Sequence, residues 1–150
     1  MKKFEILEHK ADLKIRAFGG DKKRLFLNML LGMTENQRPK TRSRKKVKRE
    51  IKIKSINLPT LLVDFLNEAL YLSQINKEVY FEANFKKFSN AELEGELMGQ
   101  KIERFGEDIK AATYHDLGIH QKPKPQRRVE MNKVHRLKDK TWEAVVLFDV

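Results

Sequence analysis

Apolar and polar residues alternate in short stretches near the N-terminus. Phe4 and Ile6 flank Glu5, and Lys14 and Arg16 separate Leu13, Ile15 and Ala17. A period of two predicts half-buried strands. Gly19-Gly20 breaks the second run. Asp21 offers a side-chain oxygen to the free N–H groups of a first helical turn, which predicts a helix of about eleven residues with Leu25, Met29 and Leu30 on one face. Gly32 is its predicted stop. Residues 34–46 read as a polar, basic loop, and Ile51 and Ile53 alternate with Glu50, Lys52 and Lys54 in a strand with one charged face. Asn57-Leu58-Pro59 then opens the strongest helix, since proline is tolerated in a first turn. Leu61, Leu62, Phe65, Leu66, Ala69 and Leu70 form its apolar stripe, with Asp64, Asn67, Glu68 and Tyr71 off it and an end near Ser73.

Beyond that helix the period returns to two. Val79, Phe81, Ala83 and Phe85 alternate with polar residues, as do Ala91, Leu93, Gly95 and Leu97. Ser89-Asn90 between them predicts a β-hairpin. Residues 99–108 read as a charged loop, Ile109, Ala111, Thr113 and His115 as a strand, and residues 119–138 as a basic loop holding Pro123 and Pro125. Trp142 to Phe148 is nearly continuous apolar and predicts a central strand buried on both faces. Two helices and about seven strands, often antiparallel neighbours, predict an α+β fold: a mixed, largely antiparallel sheet with two amphipathic helices packed on a face.

The 150 residues fit a single domain spanning 1–150. With no cysteine, a disulfide framework, a thiolate zinc site and a cysteine nucleophile are excluded. No apolar run reaches the length of a membrane helix, and the opening Met1-Lys2-Lys3-Phe4-Glu5 lacks a signal peptide's apolar stretch, so a cytoplasmic protein without membrane contact is expected. The net charge of +11 is concentrated: residues 40–54 carry +8 and residues 121–140 carry +6, leaving the rest mildly acidic. The basic segments, bounded at 36–54 and 119–140, point to phosphate or to an acidic protein face. Neither interleaves aromatic residues among its basic ones, as a base-stacking surface does.

Candidate chemistry is sparse. Asp12 lies at a turn between two strands, and Asp149 ends the last strand beside Val150. If the sheet brings the Asp12 turn to that strand's end, Asp12, Asp149 and the Val150 carboxylate converge as oxygen ligands for Ca²⁺ or Mg²⁺; a salt bridge to a lysine or arginine is the commoner alternative. His9 and His115 are ligand or base candidates, against the plainer reading of half-buried hydrogen-bonding residues, while His120 and His135 read as surface. Asp64 and Glu68, four apart, suit a solvated helix face or a basic partner better than a metal. There is no P-loop, G-x-G-x-x-G, G-x-S-x-G or H-x-x-x-H. A binding or accessory protein is favoured over an enzyme.

Five blocks carry a family resemblance: Phe4-Glu5-Ile6-Leu7-Glu8-His9-Lys10-Ala11-Asp12, Phe26 to Gly32-Met33, Leu61 to Leu72, Lys110-Ala111-Ala112-Thr113-Tyr114-His115, and Val145 to Val150. In order and spacing they resemble the archease family. The resemblance implies a small accessory protein, with no catalytic centre of its own, that activates the RtcB-type tRNA-splicing ligase by promoting its guanylylation and repeated turnover. It also implies a divalent metal, most often calcium, on Asp12, Asp149 and the Val150 carboxylate, and places the ligase contact at that end. Lys10 departs from the family's usual threonine. The basic segments match the family poorly; His9, Lys45, Lys46, Arg127 and Arg128 are the expected partner-contact residues, with tRNA a further ligand of the basic segments. The competing expectation is a basic RNA-binding or chaperone-like module for RNA processing. A metal-dependent hydrolase built on His9, Asp12 and Asp149 is the weakest of the three.

Overall fold

The computed structural model describes residues 2–9, 11–41, 43–123 and 140–150. Its elements run β1 (Phe4–His9), β2 (Asp12–Gly19), α1 (Lys22–Asn36), β3 (Pro39–Lys40), β4 (Lys46–Lys54), α2 (Leu58–Asn76), β5 (Glu78–Phe88), β6 (Glu92–Lys101), β7 (Arg104–Phe105), β8 (Ala111–Pro123) and β9 (Lys140–Asp149). The α+β class is as expected, and every described strand pairing is antiparallel. The strands do not form one sheet. They divide into a four-stranded sheet of order β1-β2-β9-β8, a three-stranded sheet of order β4-β6-β5 and the small β3-β7 pair.

Both helices touch both large sheets, so the helices lie between them and share one core. This placement explains why α1 is buried on more than one side, through Leu25, Phe26, Met29, Leu30 and Met33. Phe26 meets Phe65 of α2 at 5.6 Å and Phe88 of β5 edge-on at 5.0 Å, which ties both helices to the three-stranded sheet. Asp21 caps α1 by accepting the Arg24 N–H at 2.7 Å, and Asn57 caps α2 by accepting the Thr60 N–H at 2.9 Å.

Several boundaries differ from expectation. Helix α1 passes through Gly32 to Asn36, because Gly32 serves packing and not termination: a Cβ there would stand 3.0 Å from the Phe4 ring and 3.3 Å from Ile15. Helix α2 runs to Asn76 and ends on Lys77 in the left-handed region at φ 53°, its N–H donating to the Ser73 carbonyl. The expected 34–46 loop holds the last turn of α1 and β3. The expected 99–108 loop holds the end of β6 and all of β7, and β8 continues to Pro123. Strand β9 is central but not buried on both faces. Ala144, Val146 and Phe148 enter the core, whereas Val145 and Leu147 are half-buried on the face turned away from it.

Candidate functional site

The acidic end of the four-stranded sheet follows from strand register. Strand β2 begins at Asp12 and β9 ends at Asp149, and the pairing sets these residues directly opposite each other. The adjacent pair, Leu13 and Phe148, is buried in the core. Since successive side chains alternate faces, Asp12 and Asp149 share the opposite, exposed face, and such opposed residues have Cβ atoms about 5 Å apart. On the other side of Asp149 stands Ala111 of β8, and the Lys110 N–H donates to the Asp149 carbonyl at 2.8 Å. Among the described residues neither carboxylate forms an ion pair. Among the described residues, the salt bridge weighed as the commoner alternative is therefore not made there.

Helix α2 fixes the outer strand of this site. Strand β8 is an edge, and Ala112 turns its main-chain groups outward. Asn67 meets both: its Nδ2 donates to the Ala112 carbonyl at 3.0 Å and its Oδ1 accepts the Ala112 N–H at 2.8 Å. Gln74 donates to the Ile109 carbonyl at 3.1 Å. The Thr113 hydroxyl donates to the Leu147 carbonyl at 2.9 Å, tying β8 to β9 from the side chain. The backbone that carries Asp149 is thus braced from both sides.

The donor set suits a hard, oxygen-preferring cation, because two opposed exposed carboxylates without a basic partner leave uncompensated negative charge. Among the described residues, no three His, Cys, Asp or Glu side chains group as a metal cluster. Among the described side chains, the carboxylates of Asp12 and Asp149 are the pair that the register brings together here. Val150, exposed, follows Asp149 directly.

A family model described as the Archease protein family matches residues 4–150. The chain belongs to the archease family. It is 33% identical over 126 residues to protein archease of Methanosarcina barkeri, covering 79% of this chain and 86% of that one. It is 29% identical over the full length of both chains to protein archease of Pyrococcus furiosus. The solution structure of Methanobacterium thermoautotrophicum protein 1598 shares its fold with a TM-score of 0.58 at 21% identity, covering all of both chains. So does a Thermotoga maritima crystal structure described as an archease and possible chaperone, with a TM-score of 0.57 at 20% identity over 96% of this chain and 94% of that one.

The other candidate residues of this archease are scattered. His9 ends β1 opposite Leu13, one residue from Asp12, so its backbone stands at the acidic end. Lys10, Arg127, Arg128 and His135 lie outside the described residues, as does all of 124–139 within the basic segment 119–140. Lys45 and Lys46 are exposed at the start of β4. Arg49, counted with the basic segment 36–54, turns inward instead. It grips the buried Glu78 carboxylate with two bonds, at 2.8 and 2.7 Å. Those bonds hold Glu78 below the usual carboxylate range against the cost of burial, and the Tyr80 hydroxyl donates to the same carboxylate.

His115 is not half-buried; its side chain is 72% exposed and stands 3.4 Å from Asp116. Both belong to the stretch between Thr113 and Gly118 where β8 bulges away from β9, with Asp116 at φ 52°. Asp64 is half-buried and, among the described residues, forms no ion pair; it accepts hydroxyls from Ser55 and Tyr114. The bond to this carboxylate raises the Tyr114 phenol above its ordinary range. Sequence reasoning missed Asn67 and Thr113 as braces. The signal for Asn67 was an amide off the apolar stripe of α2, and nothing local said which strand it would meet.

Proposed function

We propose that this archease is a non-catalytic activator of an RtcB-type RNA ligase in cytoplasmic tRNA splicing, acting through a divalent cation at its acidic end. The observation that carries the reading is the register pair Asp12–Asp149 on an exposed face, neither acid making an ion pair among the described residues. Asp12, Asp149 and the Val150 carboxylate would hold the ion, most often calcium in this family. Bound there, the cation would relieve most of the repulsion among the three carboxylates and would supply a point of attachment for oxygen ligands of the ligase or its nucleotide. The chain's own residues do the rest. Asn67 and Thr113 hold β8 and β9 in place, and His9, whose backbone ends β1 at the same end, would meet the partner there. The ligase supplies all bond chemistry, joining phosphate-bearing and 5′-hydroxyl RNA ends with GTP and metal, and the archease promotes its guanylylation and turnover.

The test is RNA ligation by the cognate ligase at limiting concentration, with and without this protein. The tag belongs at the N-terminus, because a C-terminal extension turns the Val150 carboxylate into a peptide bond. Wild type is expected to give several turnovers per ligase. Asp149→Ala is expected to fold normally and give none beyond the ligase alone. Full stimulation by the variant would overturn the reading.

A further inference from the structure

The three-stranded sheet turns one face to the helices and the other outward, and the outward face is divided. At one end its charges neutralise each other: Lys52 pairs with Glu94 at 3.3 Å, Lys87 with Glu92 at 2.9 Å and Lys86 with Glu96 at 3.4 Å. That half is an ordinary solvated surface. At the other end Lys48 lies opposite Met98 and Lys46 opposite Gln100. Among the described residues neither lysine forms an ion pair.

Between these lysines and β5 lies a depression of about 430 Å³ lined by Lys46, Lys48, Phe81, Glu82, Met98 and Gln100. A register shift between Tyr80 and Glu82 produces it. The extra residue is Phe81, and the bulge leaves Phe81 and Glu82 lining the same depression. Tyr80 enters the core, whereas neither Phe81 nor Met98 packs against it. The aromatic ring absent from the basic segment in sequence is therefore supplied to it by the fold.

We propose that this end of the sheet binds single-stranded RNA, a base stacking on Phe81 over the Met98 floor and the adjacent phosphates meeting Lys46 and Lys48. Cations beside an aromatic face are what an unpaired strand requires. A double helix keeps its base faces stacked inside and has nothing to offer Phe81. An acidic peptide would use the lysines alone and leave Phe81 without a partner. Gln100 supplies an amide for a base edge, and the Glu82 carboxylate can accept from an exocyclic amino group. This surface is independent of the ligase reading and is tested without ligase.

The experiment is fluorescence anisotropy of a labelled 12-nucleotide single-stranded RNA titrated with the full chain across a salt series. Binding is expected to weaken with salt. The Lys46→Ala/Lys48→Ala double variant should flatten the log–log slope by about 1.4, roughly 0.7 for each phosphate no longer neutralised. Phe81→Ala should weaken binding about 5- to 150-fold at every salt concentration with the slope unchanged, as removal of one base–aromatic stack requires. Phe81→Trp should restore binding, which separates stacking from any loss of fold. Lys52→Ala, at the neutralised end, should bind as wild type. Absence of RNA binding at low salt, unchanged binding by Phe81→Ala, equal affinity for duplex RNA, or equal competition by an oligoglutamate peptide would each overturn the proposal, the last pointing to an acidic protein partner.

Discussion

Asn67→Ala removes a side chain that touches no ligand and yet should weaken the acidic end. Asn67 gives β8 two hydrogen bonds through the Ala112 backbone, at 3.0 and 2.8 Å, and Ala112 is only 3% exposed. Each bond contributes about 0.5–1.5 kcal/mol net, and leaving a buried N–H and C=O without partners adds a desolvation cost of about 1–3 kcal/mol. Asn67 is itself half-buried, so water recovers part of this. A loss of about 2–4 kcal/mol is expected. With a urea m-value of about 2 kcal/mol/M, the unfolding midpoint should fall by about 1–2 M at unchanged m. The local readout is amide exchange: the Ala112 N–H should lose protection well before the core strand β9 does. Because Ala111 and Lys110 lie against Asp149, affinity for the proposed cation should fall as well, although none of its proposed ligands has been changed. A midpoint within about 0.3 M of wild type, together with unaltered Ala112 exchange, would refute the bracing role.

Glu78→Gln should lower stability at neutral pH by about 1.5–3 kcal/mol, the range for a hydrogen bond to a charged group. Glu78 is held below its unfolded value near 4.3, so its contribution is present above that pH and lost as pH falls through the folded value; urea midpoints from pH 7 to 3 should fall less steeply in the variant. Glu5 and Glu92 shift in the same direction through lysine and arginine partners, but they are far more accessible, and their share of the acid slope should shrink in high salt. Gly99→Ala should cost about 1–3 kcal/mol or more in a thermal melt, since a Cβ there would stand 1.7 Å from the Val79 carbonyl oxygen and force β5 away from β6 beside the Phe81 bulge. A melt within about 2 °C of wild type would show that the strands yield without cost.

What was legible in the sequence was what local periodicity controls. The alternation at 13–17, the stripe from Leu61 to Leu70 and both helix caps are properties of a few consecutive residues, and they reappear as β2, α2 and its neighbour. Alternation states that a strand is half-buried, not which strand it joins, so the division into two large sheets was invisible. Gly32 read as a stop because glycine commonly ends helices, but its missing Cβ is used by Phe4, some 28 positions earlier. Arg49 could not be told from its basic neighbours until Glu78 appeared behind it. Asp12 and Asp149 were legible as candidates because one stands at a turn between strands, the other ends an apolar strand beside Val150, and both fall in blocks that resemble the archease family. Their meeting depends on register, and only the fold supplies that.

The lack of an ion pair at that meeting point, among the described residues, is informative because the same face shows the alternative. Arg16, two positions beyond Lys14 on β2, bridges Glu5 at 2.9 Å and Glu143 at 2.8 Å, with Lys122 joining Glu143 at 3.1 Å. This sheet therefore can settle carboxylates on neighbouring strands with a guanidinium, and at Asp12–Asp149, among the described residues, it does not. The residue across from Asp149 is Ala111, which contributes no charge. Ala111→Arg would supply one, in the cross-strand geometry that serves Glu5 and Glu143. If the pair is kept open for a cation, the variant should fold, melt at or above the wild-type temperature without calcium, lose the calcium-induced rise in melting temperature and lose ligase stimulation. If the acids are merely surface residues, Ala111→Arg should stimulate the ligase as wild type does, and the cation reading of this end would fall with that result.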